Sequence, residues 1–351
     1  MLMGIFYVHL LISFAQTRVD PADAAAAFVQ IKLLAPHVAV FFFLSGSGAR
    51  YIGKRAFPTI LAQSLMLLLV AATLQVVGYA IGPFWHQPPA GWADAVRQML
   101  KPILIGTGHA TFVAWFFVVL AIVRVLAWGL ARGWRLGVTM IVGFAALIAL
   151  GSLIVESRNL FEWRIVPIAL LFFWIGARIP RRLDIPAWAG LSALLLTLVL
   201  TWFNRPGLLW QGPCLACDPL FVSQPTVGQF DTIPVYIVQE LLFLVFLLWG
   251  SQQSSALGTA ALSRFFGHYS MQTLMLHGWL MAGLLPFLIP LYPDHPSLWL
   301  FALMLFGSIV VHAALLWVLR PFLDRCLAMC FAIAHATNRL PGLRIPAYRE
   351  A

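Results

Sequence analysis

A chain of 351 residues that is 62% apolar and 14% aromatic but only 10% charged falls outside the soluble class, where charge makes up about 25% of residues. Its mean hydropathy of +0.90 comes from apolar runs repeated from end to end, which are placed stably only as helices across a bilayer. The formal net charge of +10 sits in short clusters between those runs, so it reads as membrane orientation and argues against a nucleic-acid partner.

A window of about 19 residues marks ten candidate spans, at roughly 1–16, 36–53, 57–81, 111–130, 136–155, 163–179, 186–203, 232–250, 269–290 and 297–322. The expected fold is all-α, a polytopic integral membrane protein of about ten transmembrane helices. One transmembrane domain covers 1–323, and a cytoplasmic or interfacial tail covers 324–351. No basic leader precedes the first apolar run, so that run lacks the form of a cleaved signal peptide. With the N-terminus in the cytoplasm, Lys and Arg favour the inner side by about two to one, which predicts both termini inside. This assignment puts Arg18 and Lys32 in an outer loop. The longer outer loops, 82–110 and 204–231, are rich in Pro, Gly and Trp, and their aromatics read as interfacial anchors before sugar platforms. Cys214 and Cys217 suit a local disulfide or two free thiols, whereas Cys326 and Cys330 share one helix face as small apolar residues.

Two stretches carry most of the chemistry. Gly-Ile-Phe-Tyr-Val-His-Leu-Leu at 4–11 sets His9 inside an apolar segment beside Tyr7, and an ionisable group within a span marks a functional site by default. A neutral imidazole there can take a proton from a hydroxyl attacking an acyl carbon; the plainer alternative is a core histidine bonded to a neighbouring helix. Phe41 to Arg55 is an aromatic run that breaks at Ser45–Gly48 and ends in Arg50, Lys54 and Arg55. This cluster and those at 132–135 and 178–182 face the cytoplasm in the expected topology. They set orientation and are suited to the phosphates of a nucleotide-bearing donor.

His37 opens the second span, His109 stands with Trp115 at the mouth of the fourth, and His277 and His312 lie mid-span in the last two. No two of these histidines have metal-ligand spacing on one helix, so no metal is expected. Glu240, beside Gln239 and near Tyr236, is the mid-span carboxylate, placed to orient a histidine or to pair with Arg124. No GxxxxGK[ST] phosphate loop occurs, which argues against an ATP-driven pump.

In order along the chain, several motifs resemble those of the membrane acyltransferase 3 family, bacterial integral membrane O-acyltransferases acting on surface and periplasmic glycans. Gly4 to His9 is similar to its first-helix histidine motif, and Val40 to Gly46 to its aromatic run closing on Ser-Gly. Lys54 to Pro58 resembles its basic segment ending in proline, His109 to Phe117 its histidine and Trp-Phe motif, and Phe266 to His277 its late Gly-x-x-Ser…Leu-x-His motif.

The resemblance implies an inner-membrane enzyme with ten spans. It would move an acyl group, acetyl before succinyl, from a cytoplasmic acyl-CoA co-substrate to a hydroxyl of a glycan or lipid-linked sugar. No permanently bound cofactor is implied, and oligomeric state is left open. His9 would be the catalytic base, Arg50, Lys54 and Arg55 the donor-binding residues, and Tyr7, Ser45, His109, Trp115, Glu240 and His277 substrate-binding or supporting residues. The family's arginine about three helical turns before this histidine would fall before Met1, so a true start upstream of Met1 is expected. The competing function is a glycan or lipid transporter, against which stands the lack of an internal two-fold repeat in the sequence.

Overall fold

A computed structural model describes residues 2–17, 21–34, 37–82, 89–111, 113–155, 159–180, 183–205, 207–208, 212–213, 216, 222–225, 228–230, 232–256, 260–292 and 297–336. The described chain is mostly helical, with a two-residue antiparallel strand pair, Gly207–Leu208 with Gly212–Pro213, and an isolated bridge between Gln224 and Gln229. Among the described residues, seven helical stretches are long and apolar enough to cross a membrane, and two shorter apolar helices, Gly4–Ala15 and Ala187–Trp202, fall below that length. The protein is a polytopic helical membrane protein. The sequence-predicted spans 36–53, 57–81, 111–130, 136–155, 163–179, 232–250 and 297–322 each overlap one of the seven. The predicted span 269–290 is instead a helix that ends at Gly283 and a second, short helix that begins at Leu285.

The chain divides into two compact units, one comprising 1–41 and 180–318, the other 42–179 and 319–351. In the first unit, α1 (Leu2–Thr17) packs on α2 (Pro21–Leu34), and α2 on the later helix Ala187–Trp202. α2 occupies sequence that reads as an outer loop. Lys32 is accordingly corrected from a loop charge to a buried residue of 1% exposure, its Nζ donating to the Asn204 carbonyl at 2.6 Å. Phe6, Leu10, Leu11 and Phe14 of α1 form a core with Ala27 and Ile31 of α2 and with Met281, Leu285, Phe301 and Met304.

The second unit takes the end of α3 (Ala39–Ser47), then α4 (Phe57–Ile81), α5 (Trp92–Ile105), α6 (Ala114–Arg132), α7 (Trp134–Val155) and α8 (Val166–Arg178). α6 is its centre, packed by α4, α7 and α8. Pro58 in the first turn of α4 and Pro167 in that of α8 need no amide donor there, so they start rather than break these helices. α5 ends at Gly106, whose left-handed φ of 67° suits a residue without Cβ. The crossing of α3 and α8 is a contact of backbones. A Cβ at Gly46 would lie 2.0 Å from the Phe173 carbonyl oxygen, and one at Gly176 would lie 2.0 Å from that of Phe43. The Ser-Gly close of the aromatic run is therefore first a packing device.

The remaining helices of the first unit are α9 (Ala187–Trp202), which packs on α10 (Ile233–Ala256), then α11 (Ala260–His268), α12 (Ser270–Gly283) and α13 (Leu285–Leu288). α14 (Leu298–Ala336) continues unbroken through Pro321, so the tail expected to begin at 324 starts inside a helix. Cys214 and Cys217 lie outside the described residues. Cys326 and Cys330 are free, and Cys330 is buried with its Sγ 3.6 Å from Thr73 Oγ1.

Candidate functional site

α1 is apolar all round, so its one imidazole stands out. His9 is half-buried, and its ring meets that of His277 from α12 edge-on, centroids 5.6 Å apart. His277 in turn lies 5.9 Å from the ring of His312 on α14, and Phe6 wedges its ring edge-on against both, at 5.2 and 4.5 Å. Three histidines from three helices thus share one patch inside the first unit. The sequence places His277 and His312 mid-span and counts His9 and His277 as site residues; the fold brings His312 to them.

The proton positions in this patch follow from its partners. His312 Nδ1 lies 2.8 Å from the Ser308 carbonyl, which can only accept, so Nδ1 carries the hydrogen. His312 Nε2 is buried with no hydrogen-bond partner among the described residues, and so are both ring nitrogens of His277, which is 1% exposed. Buried polar groups are nearly always bonded, so unbonded nitrogens on two neighbouring rings make this patch suited to meet a polar group. No group of three His, Cys, Asp or Glu among the described residues has the arrangement to hold a metal ion. Tyr7 is two positions from His9 and so points elsewhere on the helix, where its hydroxyl donates to Gln30 of α2. It pins α1 to α2.

A second polar pair lies in the same unit. Glu240 of α10 is fully buried, and its Oε1 is 2.9 Å from Nδ1 of His37. The Nε2 of that ring lies 2.9 Å from the Leu33 carbonyl and therefore donates to it. The Nδ1–Oε1 contact then holds one further proton, shared by imidazole and carboxyl. Phe243 stacks on the ring at 3.5 Å and fixes its plane. Of the two partners open to Glu240 in the sequence, histidine or Arg124, the structure selects histidine, and the histidine is His37. Both amide atoms of the neighbouring Gln239 are buried without a partner among the described residues.

The second unit carries the basic residues. Arg50 donates to the Ile179 carbonyl at the C-terminal end of α8 at 2.5 Å, where a cation also suits the helix dipole. Lys54 is exposed over the Tyr51 ring, 5.2 Å from its centroid. Arg55 donates to Gln63 Oε1 at 3.0 Å, and its own carbonyl accepts from Trp128 Nε1 at 2.9 Å. Ser45 is half-buried within the last turn of α3. Trp115 packs at 6.2 Å from Phe42 and at 6.1 Å from Phe116.

His109 sits in the turn after Gly106 and Gly108, both at positive φ, with Nδ1 buried and without a partner among the described residues. Burial lowers its imidazole from the usual 6.5 to about 4. Beneath it, Gln75 Oε1 accepts from the Ala110 amide at 2.5 Å. Glu162, in a left-handed backbone conformation beside Phe161, accepts from Thr107 at 2.7 Å and from Asn159.

Comparison with protein-family models, with characterised proteins and with solved structures found no match for this chain.

Proposed function

We propose that the protein is a membrane O-acyltransferase, as its resemblance to the acyltransferase 3 family implies, with about ten spans in a bacterial inner membrane and both termini cytoplasmic. The observation that supports this reading best is the convergence of His9, His277 and His312, with buried ring nitrogens of His277 and His312 without a partner among the described residues. Such a patch suits a hydroxyl that must be held and deprotonated.

In the proposed reaction His9 takes the proton from a hydroxyl of a glycan or lipid-linked sugar. The oxygen attacks the thioester carbonyl of acyl-CoA, an O–C bond forms, and the C–S bond breaks. The imidazolium returns its proton to the leaving thiolate, so that the products are ester and free thiol. His277 orients the hydroxyl or the His9 ring. Lys54 and Arg55 attract the phosphates of the donor; Arg50, committed to the end of α8, contributes mainly by shaping that turn.

The test is acyl transfer from radiolabelled acetyl-CoA to acceptor by purified protein in lipid nanodiscs. General-base catalysis contributes typically 10²–10⁴-fold, so His9→Ala is expected to lower the rate by about that factor with the melting temperature retained. Undiminished transfer by His9→Ala would sink the role given to His9. A transporter is the second reading, favoured by the buried His37–Glu240 pair, because proton-sharing pairs within spans also serve transport. The same assay separates the two, since a transporter leaves acetyl-CoA unconsumed.

A further inference from the structure

In the second unit, Gln63 of α4 accepts from two guanidinium groups on one oxygen. Arg55 Nη1 lies 3.0 Å from Gln63 Oε1, and Arg124 Nη2 lies 2.5 Å from the same atom. An amide oxygen is neutral and compensates neither charge. No carboxylate among the described residues pairs with Arg55 or Arg124; the ion pairs between described residues are His37–Glu240 and Arg320–Asp324. Arg124 Nε is also buried and without a partner among the described residues.

Arg124 lies within the apolar helix Ala114–Arg132, where a charge is costly to keep and ordinarily has a named partner. On α6 it shares one stripe, at intervals of four residues, with Trp128 and Arg132. The exposed Arg132 guanidinium lies over the Trp128 ring at 5.6 Å, and Trp128 Nε1 fixes the Arg55 backbone. The stripe therefore runs from an exposed cation at the end of α6, over an indole, to a half-buried pair of guanidinium groups about 12 Å further along the helix.

We propose that Arg55 and Arg124, held together by Gln63, form a binding site for a phosphate group. Two guanidinium forks presented from different elements match a tetrahedral anion that carries more than one negative charge. The phosphate can belong to the nucleotide part of the acyl donor or to a lipid headgroup. Only the first source rests on the acyltransferase reading.

The experiment uses the full chain in nanodiscs of neutral phosphatidylcholine, titrated with coenzyme A and with pantetheine, which lacks phosphate. A second preparation contains phosphatidylglycerol. Gln63→Glu supplies an internal carboxylate to both arginines, and Arg124→Gln removes one of them. Coenzyme A is expected to bind the unmodified protein and pantetheine at least about ten-fold more weakly, and both variants are expected to lose at least about ten-fold in coenzyme A affinity. Gln63→Glu should keep the melting temperature, which separates loss of the site from loss of the fold. If both variants bind coenzyme A as the unmodified protein does, or if pantetheine binds equally well, the site is wrong while the acyl-donor reading survives. If coenzyme A does not bind but phosphatidylglycerol raises the melting temperature of the unmodified protein alone, the site stands with a lipid phosphate and the acyl-donor reading fails. Response to neither phosphate source overturns the site.

Discussion

The two units treat buried charge differently. In the first, ionisable groups meet one another or a backbone carbonyl: His37 meets Glu240, Lys32 meets the Asn204 carbonyl, and His9, His277 and His312 gather as rings that can each be neutral. In the second, two guanidinium groups meet a neutral amide, and a third ends on a backbone carbonyl. An imidazole can shed its charge when buried, whereas a guanidinium cannot. The first unit is thus suited to moving protons, and the second to receiving an anion.

The sharpest way to break this contrast concerns what holds each unit. The second relies on backbone contact between α3 and α8, so Gly46→Val is expected to destabilise by about 3 kcal/mol or more, or to prevent folding. Gly143→Ala in α7 is its control. Nothing lies within 4 Å of a Cβ there, so the change should be neutral or stabilise by up to about 1 kcal/mol. Thermal unfolding in nanodiscs measures both, and equal effects would remove the packing role assigned to Gly46.

The first unit relies on polar pairs, so Glu240→Leu should cost about 1–3 kcal/mol by leaving His37 Nδ1 buried and unbonded. Glu240→Gln keeps an oxygen acceptor and should recover most of that loss; failure to recover it would mean that the pair needs its charge.

The smallest effect concerns His109. The folded chain holds this imidazole at about 4, whereas the unfolded chain titrates near 6.5, so the unfolded state takes up the proton first as pH falls. Stability contributed by the neutral ring is complete above about 6.5 and is lost progressively down to about 4. The melting temperature should therefore drop more steeply over that range than it does in His109→Gln. Parallel curves would show that His109 is solvated.

Composition alone fixed the membrane class and the all-helical fold, because apolar runs of this length leave the backbone no other way to bond within a bilayer. Local sequence also drew attention to His9, since an ionisable group inside an apolar run is visible within one or two turns. The tertiary structure decided which polar residues meet. The partner of Glu240 lies 203 residues away at His37, and Gln63 joins Arg124 across 61 residues. No periodicity encodes such pairs. The expected topology likewise leaves α2 in an outer loop; it is the packing of that helix that buries Lys32 against the Asn204 carbonyl. Apolar pattern selects the solvent for each segment, but the pairing of buried charges depends on where helices distant in sequence cross.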